Sequence, residues 1–493
     1  MTIAAISTAP GTGGIAVIRV SGPQAVAIVD SIFQPLRAGH TLASRPAHTL
    51  TYGQVVQDSG EVLDEVVAAL FRGPHSFTGE DVVELSCHGS TYIQQTLLRL
   101  LLDHGCRLAE PGEFTRRAFA NGRMDLTQAE AVADLIAAGS EAAHRVALSQ
   151  MKGRFSTRLS ELRQQLVDLA SLLELELDFS EEEVEFADRE KLTQLAEEIH
   201  TALRSLIQSF STGNALRSGI PVAIIGETNA GKSTLLNLLL GDDKAIVSDI
   251  HGTTRDVVED TCILNGVLLR FVDTAGIRET HDRIEALGIE RTYRRLDGAR
   301  IVLWVVDGTR LGDAALTEDL LQDLRALHAR IAPYLHESQT LCVVINKSDL
   351  IPAALLEWQL PALRAALDEM LPTATDESHS AGVAAARPAY QLLPLSAKTQ
   401  AGFPALLDLL KEATTLPAVH SGDVIVTNLR HYEALVHADE AILRVRTGLQ
   451  SLLSGDLVAQ DLRECNYFLG TILGTVSSAE VLQSIFSKFC IGK

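Results

Sequence analysis

The spacing of apolar and polar positions changes character along the chain, and each change marks a different kind of element. Residues 1 to about 118 carry short alternating runs. Positions 2–6, 14–20, 64–71 and 81–85 read as strands and positions 91–103 as a helix, an α+β pattern. From about 119 the period becomes helical. Phe155, Leu159, Leu162, Leu166, Leu169 and Leu173 fall at alternating steps of four and three, which draws one continuous apolar stripe. An acidic run at 180–185 interrupts it and reads as a solvated turn with a helix start. Between about 216 and 418, short wholly apolar runs read as buried strands of an α/β domain, and the Ala-, Ser- and Thr-rich stretch 373–388 reads as a mobile insertion. Helical spacing returns after about 428, where Leu482, Ile485, Phe486 and Phe489 recur at i, i+3, i+4 and i+7.

Neither helical stretch has an obvious partner within itself. The economical solution packs both into one discontinuous helical domain, with the α/β domain inserted through adjacent ends; two independent bundles are the alternative. The expectation is therefore a multidomain chain: an α+β domain over 1–118, helical parts over 119–215 and 419–493, and an inserted α/β domain over 216–418.

Candidate chemistry sits where the apolar runs of the α/β domain end. The run 222–225 leads into GxxxxGKS, from Gly226 through Asn229 and Ala230 to Gly231, Lys232 and Ser233, and Thr234 opens a helical run. In that setting glycines let the backbone N–H groups turn inward on a polyphosphate, Lys232 reaches the β- and γ-phosphates, and the Ser233 hydroxyl ligates Mg²⁺. A second run, 268–272, ends in Asp273, Thr274, Ala275 and Gly276, where a carboxylate can hold the magnesium shell and a glycine N–H can sense the γ-phosphate. A third, 341–345, ends in Asn346, Lys347 and, two residues on, Asp349. A carboxylate there accepts from both N1–H and the 2-amino group of guanine, so a wrong base leaves it unpaired. After 392–395 come Ser396, Ala397 and Lys398, able to support the base through their backbone. Each motif alone is weak. In this order, each at a strand end, they imply a P-loop, Ras-like fold that takes GTP.

Composition narrows the setting. The chain has 493 residues, 46% of them apolar, enough for several real cores, and its longest apolar runs are too short to span a bilayer. The N-terminus enters a strand directly, which leaves no room for a targeting peptide. Six cysteines, at 87, 106, 262, 342, 465 and 490, show no paired spacing and suit a reducing cytoplasm. A net charge of −21 argues against wrapping nucleic acid by the overall field, so any RNA contact is local or supplied by a basic partner.

The hydrolytic machinery departs from that of small GTPases. Ile277 stands where a Ras-like enzyme has the glutamine that orients water. Asn229 could face the α- and β-phosphates, and Thr254 is a natural second magnesium ligand. A monovalent cation held by Asn229 and by carbonyls of the 247–256 loop would place positive charge where an arginine finger usually goes. Asn229 as a plain turn residue fits the pattern equally well.

At this point the sequence resembles a known family. Asn229, the run Gly252, Thr253, Thr254, Arg255, Asp256, the run 273–278 and the terminal Cys490, Ile491, Gly492, Lys493 resemble the tRNA-uridine-modification GTPases called MnmE or TrmE. The blocks 11–19, 76–81, 84–89 and 111–114 match that family's N-terminal domain, so the resemblance covers the whole chain. It implies potassium ligated by Asn229, Ser248, Ile250 and Thr253, with Ser248 in place of a frequent threonine. Asp249, His251 and Gly252 complete that nucleotide-binding loop, and Glu285 orients the attacking water. It implies a homodimer joined through an N-terminal domain that binds a tetrahydrofolate one-carbon donor (5-formyl or 5,10-methylene) at Arg19, Glu84, Arg123 and Lys493. Arg123 replaces a lysine of some relatives, keeping the charge but not the geometry. It further implies a heterotetramer with MnmG, a larger FAD-containing subunit, that adds an aminomethyl or carboxymethylaminomethyl group to C5 of wobble uridine U34 of certain tRNAs. Cys490 is a possible functional thiol or, equally, a small buried hydrophobe. The rival reading is a GTP-dependent ribosome-assembly or signalling switch whose flanking domains only bind partners.

Overall fold

The computed structural model describes residues 1–36, 41–178, 189–241, 260–272, 296–311, 317–371, 390–415, 423–451, 453–487 and 489–492. They form two compact units, one of residues 1–137, 147–208 and 429–493, the other of residues 138–146 and 209–428.

The first unit opens with β1 (Ile3–Ile6), β2 (Gly13–Ser21), α1 (Ala25–Ile32), β3 (Phe33–Pro35), β4 (Thr49–Val56), β5 (Val62–Phe71), β6 (Val82–Gly89), α2 (Thr91–Asp103), β7 (Arg107–Leu108) and α3 (Glu113–Ala120). The strands make one sheet in the order β3-β4-β5-β6-β2-β1-β7, antiparallel except for the β1–β7 pair. Alternation assigns its faces. Ala16, Ile18 and Val20 of β2 join Val66, Ala68 and Leu70 of β5 in a core closed by Val29 of α1 and Leu97 and Leu101 of α2. Strand β6 runs on to Gly89, beyond the expected end at 85, because Ser86, Cys87 and His88 continue the alternation and pair with β2.

Helices α4 (Leu126–Ala137), α5 (Glu141–Met151), α6 (Arg154–Asp178) and α7 (Arg189–Ser218) follow, and α12 (Leu429–Gln450), α13 (Gly455–Leu473) and α14 (Ala479–Phe486) end the chain. The stripe from Phe155 to Leu173 is buried, each member no more than 2% exposed, and α6 packs against α13. At roughly 1.5–3 kcal/mol per fully buried large apolar side chain, this seam is ample to hold the two sequence-distant parts together. Arg163 on α6 adds hydrogen bonds to Asn466 (2.8 Å) and Thr475 (3.0 Å). Phe486 and Phe489 close a small core with Leu126 and Ala129. The acidic run 180–185 lies outside the described residues, as does the stretch 373–388.

The second unit holds β8 (Ile220–Gly226), α8 (Lys232–Gly241), β9 (Asp260–Leu264), β10 (Val267–Val272), β11 (Ile301–Asp307), α9 (Glu318–Ile331), β12 (Thr340–Asn346), α10 (Ala353–Met370), β13 (Tyr390–Pro394) and α11 (Phe403–Ala413). Its sheet runs β13-β12-β11-β8-β10-β9, parallel except for β9. Central strands covered on both faces cannot alternate, and the residues of β11 and β12 are accordingly buried almost without break. Antiparallel β9 is joined to β10 through Asn265 and Gly266, both at positive φ, the turn chemistry a two-residue hairpin requires. The two ends of this unit meet: Val426 N–H donates to Ser209 Oγ (3.0 Å), and a Cβ on Gly213 would lie 2.1 Å from the Val426 carbonyl oxygen.

Candidate functional site

The C-terminal edge of the parallel sheet gathers the loops that the sequence singled out. β8 ends at Gly226, whose φ of +147° and whose approach to β11 (a Cβ would sit 2.1 Å from Val305 O) exclude a side chain. The chain then turns through Asn229 at φ +63° and Gly231 at φ +94° into α8. Lys232 starts that helix and folds its ammonium back over the loop, donating to the Gly226 (2.8 Å) and Glu227 (2.6 Å) carbonyls. Ser233 and Thr234 are exposed on the first helical turn, and Ala230 is buried beneath the loop.

Asn346 fixes this loop to the end of β12. Only 3% exposed, it donates through Nδ2 to Ala230 O (2.8 Å) and accepts through Oδ1 from Ala397 N–H (3.0 Å). A Cβ on Gly231 would lie 2.1 Å from Asn346 Nδ2, so the glycine is required by this contact as well as by its φ. Ser348 N–H donates to Leu395 O (3.1 Å), tying the turn Ser348–Leu350 to the strand end before Ser396. Ser396 is fully buried and its Oγ accepts from Thr399 N–H (3.1 Å). Asp349 and Lys398 are exposed at this rim. Lys347, at φ +62°, donates to Asp307 Oδ2 at 2.6 Å. Burial pushes the Asp307 carboxyl up, but hydrogen bonds from Lys347 and Thr309 outweigh it and hold the group below its usual range.

Asn229, Ala230, Gly231, Lys232, Asn346, Lys347, Ser396 and Ala397 thus belong to one connected rim. The cradle fits a polyphosphate: glycines where side chains would clash, a lysine at the helix start, and a helix N-terminus beneath. Ser248, Asp249, Ile250, His251, Gly252, Thr253, Thr254, Asp273, Thr274, Ala275, Gly276 and Glu285 lie outside the described residues, so of the expected magnesium and potassium ligands only Ser233 and Asn229 are placed. Sequence reading passed over Asp307, Arg310 and Glu227. The available signal was position alone, since Asp307 ends a buried parallel strand just as the named motifs do.

In the first unit, β2 and β6 bring Arg19 and Glu84 opposite each other, and Arg19 Nε donates to Glu84 Oε1 at 2.8 Å. The guanidinium lies 5.2 Å from the Phe77 ring centroid and 5.5 Å from that of Phe114. The loop carrying Phe77 also places Gly79 against Arg123, where a Cβ would lie 3.3 Å from Arg123 Cγ. It is held by Ser21, which bonds Thr78 (2.8 Å) and Glu80 (2.8 Å). Arg123 itself is exposed. Arg19 is thus held by one carboxylate and two aromatic rings at once. Lys493 lies outside the described residues, but the chain before it is fixed: Gly492 O accepts from Ser7 Oγ (3.1 Å) and Cys490 O from Gly112 N–H (3.3 Å). Gly492 has φ +96°, and a Cβ there would lie 2.3 Å from Ile6 O. The Cys490 side chain is exposed, and the other five cysteines are buried.

A parallel sheet with a phosphate loop after its first strand and an Asn-Lys-x-Asp turn at another strand end defines a P-loop GTPase fold. Family profiles specify the rest: the one described as "MnmE helical domain" matches residues 126–490, and "GTP-binding protein TrmE N-terminus" matches residues 2–123. The chain belongs to the MnmE family of tRNA modification GTPases. Proteins named tRNA modification GTPase MnmE resemble it from end to end. The one from Parabacteroides distasonis is 55% identical over 493 residues and covers 100% of both chains. That from Bacteroides thetaiotaomicron is 52% identical, with 100% of this chain and 99% of the relative covered, and that from Flavobacterium johnsoniae is 44% identical with the same coverage.

Proposed function

We propose that this chain is a potassium-dependent GTPase that modifies wobble uridine U34 of certain tRNAs. In this reading it acts in the cytoplasm as a homodimer joined through the N-terminal domain, together with an FAD-containing MnmG subunit. It adds an aminomethyl or carboxymethylaminomethyl group at C5, with the one-carbon unit drawn from a tetrahydrofolate derivative. Its domains are those expected from sequence: 1–118 for folate and dimerisation, 119–215 and 419–493 for the helical domain, 216–418 for GTP. The observation that carries the GTP part is Asn346, whose one side chain joins the phosphate loop to the backbone of Ala397. Asp349 would read guanine, Lys232 the phosphates, Ser233 with Thr254 would hold Mg²⁺, and Asn229 with Ser248, Ile250 and Thr253 would hold K⁺. Glu285 would orient water.

Arg19, Glu84, Arg123 and Lys493 would hold the folate, whose one-carbon unit is the chemistry that group supplies. The aromatic pair around Arg19 and the anchoring of the chain end beside Ser7 support this. Self-association is supported by the sheet face that α1 and α2 do not cover, where Ile15 (71%), Leu50 (72%) and Tyr52 (49%) stand exposed. The deciding experiment is nucleoside analysis of tRNA from cells lacking this protein. Loss of the C5-modified wobble uridine, restored by the wild-type chain, is expected. Unchanged nucleosides would leave a GTP-dependent switch as the better reading, which a missing affinity for 5-formyltetrahydrofolate would strengthen.

A further inference from the structure

The loop after β11 joins both halves of the nucleotide site, although no recognised motif includes it. Asp307 holds Lys347. Gly308 then passes so close to β12 that a Cβ would lie 2.7 Å from Asn346 O and 2.6 Å from Ile351 Cδ1. Two residues on, the Arg310 guanidinium is shared between two carboxylates. Nη1 donates to Glu227 in the phosphate loop and Nη2 to Asp323 on α9 at 2.6 Å.

Glu227 is an unfavourable residue for a loop that receives an anion. It is the second residue of the loop, and its own carbonyl holds the Lys232 ammonium at 2.6 Å. A bare carboxylate there would repel an incoming polyphosphate and compete for that lysine. Both ion-pair partners are about two-thirds covered, with side-chain exposures of 28% and 32%, so solvent damps this repulsion without removing it. Arg310 answers both difficulties. It neutralises Glu227, and through Asp323 it fastens the start of the phosphate loop to α9.

We propose that Arg310 is a positioning residue of the nucleotide site, cancelling the Glu227 charge so that the phosphate loop accepts a guanine nucleoside polyphosphate. The proposal rests on the GTP reading of this site. It is tested by titrating the full-length protein with the fluorescent probe mant-GDP. Arg310→Gln is expected to weaken binding about tenfold, with the deficit shrinking as salt rises. The double variant Glu227→Gln/Arg310→Gln is expected to return to within about threefold of wild type, because the charge that needed cancelling is gone. Arg310→Lys, which keeps the cation, should lose no more than about threefold. A double variant as weak as Arg310→Gln alone would make the residue merely structural and overturn the proposal. So would wild-type affinity in Arg310→Gln. Should Arg310→Gln fail to fold, the double variant and Arg310→Lys decide by the same limits. Wild-type protein that does not bind mant-GDP would remove the guanine reading itself, an outcome distinct from the others.

Discussion

The two units build their sites by opposite means. In the nucleotide unit the cradle is shaped largely by the main chain: a loop bent by Gly226, Asn229 and Gly231, buttressed by Asn346, over the start of α8. In the other unit side chains would carry the proposed folate site. Arg19 and Glu84 meet through strand register, the rings of Phe77 and Phe114 lie against Arg19, and the chain end is held to Ser7 across 485 residues of sequence. A main-chain nest must be written in consecutive residues, because successive φ values shape it. A side-chain site needs only that distant residues arrive on one face. The first kind is robust to events elsewhere in the chain; the second depends on every element that brings its parts together.

Removing residues 490–493 should expose that dependence most fully. The cut deletes the carbonyls that Gly112 and Ser7 hold. We expect tRNA modification to become undetectable and 5-formyltetrahydrofolate binding to weaken, while GTP hydrolysis stays within about twofold of wild type, as for the loss of any terminal segment carrying no nucleotide motif. Restored wobble-uridine modification by the truncated chain would make the tail structural only and remove Lys493 from the proposed folate site.

Glu130 offers the next largest effect. On α4, 9% exposed, it bonds His431 Nε2 (2.7 Å) and Arg430 Nη2 (2.9 Å) on α12, about 300 residues away. Burial pushes its carboxyl up, but the charges and hydrogen bonds of His431 and Arg430 outweigh that and bring it down from 4.5 to about 2. A depressed carboxyl stabilises the fold fully above its unfolded value. Its contribution is therefore complete above about pH 4.5 and is lost as the pH falls towards 2. Glu130→Ala removes the carboxylate shared by buried His431 and half-buried Arg430 and should cost about 3 kcal/mol. Denaturant titrations should show this loss at pH 7 and much less of it near pH 3. Equal stability of variant and wild type at pH 7 would mean the pair is not holding α4 to α12.

The same division explains what could be read in the sequence. The stripe from Phe155 to Leu173 announced a buried helical seam because helical period and burial are one geometric fact, and the structure buries every member. The phosphate loop and the Asn346–Lys347 turn were legible because consecutive residues write them. Arg310 and Glu227 were not, since two charges 83 residues apart carry no local pattern until the sheet order places β11 beside β8. Arg19, Glu84 and Arg123 entered only through family resemblance. Within strands β2 and β6, Arg19 and Glu84 look like ordinary polar positions on an alternating sheet face.

Asn229, like Lys232 and Ser233, brings a side chain to a loop shaped mainly by its backbone. It is exposed at φ +63°, a region where asparagine is better tolerated than most residues. If its amide oxygen ligates potassium, hydrolysis in KCl should exceed that in NaCl by about tenfold or more, equivalent to roughly 1.4 kcal/mol of barrier. Asn229→Ala should erase the difference while mant-GDP still binds. Equal rates in the two salts for the wild-type chain would return Asn229 to a plain turn residue.

The smallest perturbation is chemical labelling, which changes no residue and asks which unit exposes a thiol. Burial pushes Cys87 and Cys106 up to about 11, and Cys342 and Cys465, the latter also raised by nearby Asp439 and Glu464, to about 12. Cys262 is buried on β9, whereas Cys490 is exposed. A thiol raised this far keeps very little reactive thiolate at neutral pH, and burial blocks the reagent besides. At pH 8, a disulfide reagent should therefore label one thiol of six quickly in the native protein and all six after denaturation. Cys490→Ser should abolish the fast phase. A second fast thiol in the native state would show that one of the buried sites opens readily, and the nucleotide unit's Cys262 and Cys342 would identify which half of the comparison is the looser one. If Cys490→Ser also sustains wobble-uridine modification in deficient cells, the exposed thiol has no chemical part in it, and any role of the chain end falls to its backbone anchors at Ser7 and Gly112 and to Lys493.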